Sequence, residues 1–72
     1  MYENIAKNIK NLRKSLGKTR QEFAEELGYV KAYIGQLERA ERRPSYNFMK
    51  AFNERFPEIS MNEFFFGGDK DA

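Results

Sequence analysis

The sequence predicts an all-α fold of five short helices in a chain of 72 residues. Three observations carry that expectation. No stretch alternates apolar and polar residues with the period of a strand. The apolar residues recur at spacings of three and four, and Gly or Pro punctuates the chain between the segments. At this length folding buries only about 60% of the surface that the unfolded chain exposes, so one compact domain with a local core is expected and a second is not. Residues 3–66 form the expected core of that single domain (1–72), with 67–72 as a flexible tail.

The first helix is expected near residues 3–16. Ile5, Ile9, Leu12 and Leu16 fall on one stripe, Lys7, Lys10 and Lys14 fall away from it, and Gly17 offers a left-handed cap. Thr19-Arg20-Gln21-Glu22 is a capping box, in which the Thr hydroxyl satisfies a first-turn amide and the Glu reaches back. It opens a helix over 20–27 with Phe23, Ala24 and Leu27 inward, stopped by Gly28. A third helix over 31–39 turns Ile34 and Leu37 inward, but its N-cap position holds Val30, which has no side-chain oxygen, so a frayed or differently capped start is expected.

In the loop Arg42-Arg43-Pro44-Ser45, the proline biases Arg43 away from helix and Ser45 can cap the next helix. Phe48, Met49, Phe52 and Phe56 mark that fourth helix, over 46–56, closed by Pro57. Ser60-Met61-Asn62-Glu63 is a second capping box, opening a helix over 61–66 that Gly67-Gly68 ends. Phe48, Phe52, Phe56 and Phe64 are expected in the core. The run Phe64-Phe65-Phe66 spreads its rings about 100° apart on a helix, so the three cannot all face one core.

Composition excludes much chemistry. With no cysteine and no histidine, the chain has no disulfide, no thiolate nucleophile, no zinc knuckle and not the usual general base for neutral pH. No nucleophile or carboxylate pair stands beside a plausible base in a chain too small to enclose a substrate, so neither an enzyme nor a cofactor is expected. The longest apolar run is three residues and the start is polar, which fits a cytoplasmic protein without a membrane span. The net charge of +2 hides an asymmetry: residues 1–50 hold eleven Lys/Arg against six Asp/Glu, and residues 51–72 hold two against five. One end of the molecule suits a polyanion and the other does not.

The most informative stretch is Arg20–Arg39. Two short helices joined by a three-residue turn must cross steeply. Ala24 supplies the small residue where they meet, Gly28 the positive φ of the turn, and Ile34 and Leu37 the lock of the second helix on the first. At these offsets the chain resembles the five-helix, lambda-repressor-like helix-turn-helix domain of phage repressors, Cro-like proteins and bacterial regulators of the xenobiotic-response-element type. The resemblance covers residues 5–66 and runs through Ile9, Leu12-Arg13, Leu16-Gly17, Thr19, Glu22-Phe23-Ala24-Glu25, Leu27-Gly28, Tyr33-Ile34, Gln36-Leu37-Glu38-Arg39 and Arg43-Pro44-Ser45.

That resemblance implies sequence-specific binding of double-stranded DNA by a small transcriptional regulator, bacterial or phage-encoded and repressor-like. Its third helix would lie in the major groove. Lys31, Ala32 and Gln36 would then face the bases: Lys31 suits guanine, Gln36 adenine and Ala32 a thymine methyl. Arg20, Tyr33, Arg39, Arg42 and Arg43 would meet phosphates. Arg13 and Glu38 match the family's structural ion pair between the first and third helices. Two departures stand out, Arg20 where the family commonly has Gln, and Val30 where it prefers Ser or Thr. The partner implied is a palindromic operator bound by a homodimer, with Phe65 and Phe66 as candidate dimer contacts. An antitoxin and a protein-interaction module are the alternative uses of the same fold.

Overall fold

The computed structural model describes residues 3–66. They form five helices, α1 (Glu3–Ser15), α2 (Arg20–Leu27), α3 (Lys31–Glu38), α4 (Tyr46–Arg55) and α5 (Met61–Phe66), and no strand occurs among them. The expected tail at 67–72, and Gly67-Gly68 as the terminator of α5, lie outside the described residues.

The helices pack around one core of Ile9, Phe23, Ala24, Leu27, Ile34, Leu37, Phe48, Phe52, Phe56 and Phe65. α3 lies against α2 and α1, α4 against α2, and α5 against α1. Aromatic rings dominate the far side: Phe52 meets Phe56, Phe64 and Phe65 at centroid separations of 5.1, 4.6 and 5.1 Å. Such tilted and edge-on pairs add to the burial of their area. Asn8 ties α5 to α1 with a 2.9 Å hydrogen bond from its amide to the carbonyl of Phe64, a link that no periodicity announces.

The three helices nearest the N-terminus end in the same way. Gly17 and Gly28 adopt φ of 69° and 80°, and Ala40 adopts 61°. In each case the next amide reaches back five residues, Lys18 to Arg13, Tyr29 to Ala24 and Glu41 to Gln36, as in a Schellman motif. At Ala40 the side chain makes the left-handed conformation cost about 1–2 kcal/mol. The start of α2 is the capping box read from sequence: Thr19 Oγ1 accepts from the Glu22 amide at 3.1 Å and the Glu22 carboxylate accepts from the Thr19 amide at 2.9 Å. Ser45 and Ser60 accept likewise from the amides of Phe48 and Glu63.

Two expectations are corrected. Leu16, placed on the buried stripe of the first helix, lies one residue beyond α1 in the turn and is exposed, while Ala6 is buried instead. Phe65, offered as a dimer contact, is 3% exposed and belongs to the core; Phe66, at 64%, is the ring that faces out. The six-residue α5 turns by about 100° per residue, so burying Phe65 drives its neighbour Phe66 outward.

Candidate nucleic-acid interface

α3 is an eight-residue helix that buries Ile34 and Leu37 against α1 and α2. With about 100° between successive residues, burying those two leaves Ala32, Gln36 and Arg39 on the opposite side and Lys31 at its edge, with Gly35 buried between them. Lys31, Ala32 and Arg39 are exposed and Gln36 half-buried. At the start of the helix Val30 makes no side-chain cap bond, as its apolar side chain dictates, and its carbonyl accepts from Tyr33 at 3.0 Å and Ile34 at 3.3 Å. An α-helix with its side chains is about 10–12 Å across, a breadth that matches a major groove about 12 Å wide.

Beneath this face sits the ion-pair network. Arg13 Nε and Nη2 donate to Glu38 at 2.6 and 3.1 Å, and Arg13 Nη1 donates to the Lys18 carbonyl at 2.9 Å. Arg20 Nε donates to the same carboxylate at 3.0 Å. The Glu38 side chain is only 1% exposed. Burial pushes its carboxyl up, but the hydrogen bonds and charges of Arg13 and Arg20 outweigh that, and its pKa ends below the ordinary value. Arg13 is held above its ordinary value by the bonds to Glu38. Arg20, expected at a phosphate, therefore also clamps the start of α2 to the end of α3.

Tyr33 joins the face to the following loop. Its ring stacks on Tyr29 at 4.9 Å and leans on Phe48 at 5.5 Å, and its hydroxyl accepts from the Ser45 amide at 3.0 Å. A hydroxyl that accepts in this way keeps its own proton for another acceptor, which suits a phosphate oxygen. The Arg42 guanidinium lies 5.6 Å from the Tyr33 ring centroid, where a cation is favoured. Arg42 and Arg43 are exposed, and Pro44 beside them is buried, so the loop is anchored while its cations are presented to solvent.

The structure thus brings Lys31, Ala32, Gln36 and Arg39 together on α3, with Arg42 and Arg43 on the adjoining loop; Arg20 and Tyr33 are partly engaged inside the protein. Sequence reasoning passed over Glu41, which pairs with Arg39, and Glu26, which pairs with Lys18 at 3.3 Å and with Arg55 and so ties the α1–α2 turn to α4. The Arg39–Glu41 pair is local and rests on the turn at Ala40, whereas the partners of Glu26 come together only in the tertiary fold.

A family model described as helix-turn-helix matches residues 9–64, from α1 to α5. The chain belongs to the helix-turn-helix family. The match supports the phage repressor and Cro branch with its all-α, lambda-repressor-like fold, and membership makes the protein a DNA-binding regulator from a family that is generally non-enzymatic. No curated protein and no solved structure gave a match to the chain. No helix of the helix-turn-helix domain, among its described residues, is long and apolar enough to cross a membrane, and no three His, Cys, Asp or Glu side chains there gather as metal ligands.

Proposed function

We propose that the chain represses transcription by occupying a specific operator, with α3 in the major groove. Lys31, Ala32 and Gln36 meet base edges, and Arg20, Tyr33, Arg42 and Arg43 meet phosphates on either side. The observation that carries this reading is the outward face of α3, whose polar and small side chains adjoin the exposed cations of an anchored loop. A bidentate amide such as that of Gln36 suits adenine, and the Lys31 ammonium suits guanine N7 and O6. Selection of binding sites from random duplexes tests it. The expected result is enrichment of a palindrome whose half-sites lie about one helical turn apart. Absence of any enriched sequence contradicts operator recognition and favours a protein-interaction module.

A specific observation favours self-association. Phe66 and Tyr46, both well exposed, border an open, mainly apolar hollow of about 330 Å³ that Met49, Asn53 and Met61 also line. One recognition helix buries little surface, and pairing through this hollow supplies the second half-site that a useful specificity ratio needs.

A further inference from the structure

Arg39 caps the end of α3 one turn beyond Gly35, on the same side as Ala32 and Gln36. Its guanidinium folds back over Gly35: a Cβ placed on that glycine would come within 2.9 Å of Arg39 Nη1 and within 3.6 Å of Cζ and Nη2. Gly35 has no positive φ, and the three side-chain atoms nearest its Cβ position all belong to Arg39. A glycine inside a helix is disfavoured relative to alanine. The use of Gly35 is therefore to give the guanidinium a bed against the helix.

A second contact sets the orientation. Arg39 Nε and Nη2 donate to the two carboxylate oxygens of Glu41 at 2.9 and 3.3 Å. Glu41 is turned toward Arg39 by the left-handed Ala40 and fixed by the bond of its own amide to the Gln36 carbonyl at 2.9 Å. Guanidinium has five N–H groups, and this carboxylate takes only the Nε–Nη2 edge. The Nη1–Nη2 edge remains as a planar fork. A fork of this kind matches the N7 and O6 of guanine in the major groove.

We propose that Arg39 reads a guanine base edge, with Gly35 and Glu41 as the positioning residues that aim its fork. The family resemblance implies a phosphate contact for Arg39; its guanidinium, folded from the C-cap back over Gly35 of α3, argues for the base. This inference rests on α3 docking in the major groove as proposed above. Lysine cannot replace the fork, because it offers a point charge in place of two parallel donors.

The test compares wild type with Arg39→Ala, Arg39→Lys, Gly35→Ala and Glu41→Gln on the duplex enriched by selection and on random duplexes. Arg39 is exposed, so its variants should melt like wild type. Arg39→Ala should bind the enriched duplex about five- to 150-fold more weakly and random duplexes nearly as before, since that contact exists only opposite the right base. Arg39→Lys should not restore the loss. Replacing the contacted guanine by 7-deazaguanine, which lacks N7, should weaken wild type and leave Arg39→Ala indifferent. Gly35→Ala should raise the melting temperature, because alanine suits a helix and the guanidinium can swing aside, yet it should blunt the preference for that guanine. Glu41→Gln should blunt it in the same direction. Loss of affinity by Arg39→Ala on every duplex alike, with a salt slope lower by about one ion, would make Arg39 a phosphate contact and overturn the proposal. Gly35→Ala and Glu41→Gln with unchanged base preference would overturn the positioning roles. A wild-type protein that enriches no duplex fails at the docking step instead, an outcome distinct from enrichment that ignores Arg39.

Discussion

At the scale of single residues, Glu38 is the most constrained group in the molecule. Its carboxylate is nearly inaccessible and holds two arginines, so removing a partner leaves a charge stranded in a poor solvent. Breaking a buried pair of this kind costs about 3–5 kcal/mol. Glu38→Leu should fall in that range, and Arg13→Met nearer its lower end because Arg20 stays on the carboxylate. The double variant should be milder than either single one, and denaturant unfolding of all four proteins measures this; single variants that unfold like the parent would contradict it. The depressed pKa of Glu38 fixes the pH dependence. Its contribution is complete above the ordinary value of 4.5 and is lost as pH falls through the lower value of the folded protein. Melting temperature followed into acid should therefore drop, and Glu38→Gln should flatten that drop. The pairing of Arg13 with Glu38 was legible through the family's pattern. The share taken by Arg20 was not, because it requires knowing that α2 and α3 bring both ends to one point.

At the scale of elements, the boundaries were legible because caps are local chemistry: a hydroxyl at Thr19, Ser45 and Ser60 and a left-handed glycine at Gly17 and Gly28 need no tertiary information. The end of α3 was not legible, since Ala40 takes the same left-handed conformation without the residue that advertises it. Leu16 was misplaced for the converse reason, as a stripe says nothing about where the helix stops. The poorly capped start of α3 gives a prediction. Val30 is 65% exposed and caps α3 with no side-chain bond, so Val30→Ser loses little packing and gains an acceptor for a first-turn amide. It should stabilise the domain by about 1 kcal/mol, read as a higher denaturation midpoint with an unchanged slope. An unchanged or lower midpoint would show that the amides at the start of α3 are already satisfied.

At the scale of the whole molecule, the fold separates two surfaces. α3 and the loop after it present cations, whereas α4 and α5 present an apolar hollow bordered by Tyr46 and Phe66. The charges of residues 1–50 and 51–72 had shown the asymmetry, but which of three adjacent phenylalanines faces out depended on the rotation of α5 against α1. Phe66→Asp should leave the fold intact and lower self-association and cooperative binding to DNA. Sedimentation that shows a monomer before and after the change, with cooperativity on DNA unaltered, would rule the hollow out as a dimer contact.

The docking of α3 is the claim on which the rest depends, and it predicts opposite behaviour for neighbouring residues. Arg42→Ala or Arg43→Ala should weaken binding to all duplexes alike and lower the salt slope by about one ion. The decisive measurement is the affinity of Gln36→Ala for the enriched duplex and for random DNA over a range of salt. Docking in the groove predicts a loss of about 1–3 kcal/mol on the enriched duplex, little on random DNA and an unchanged salt slope. An equal loss on every duplex, or no loss on the enriched one, would contradict the placement of α3 in the groove.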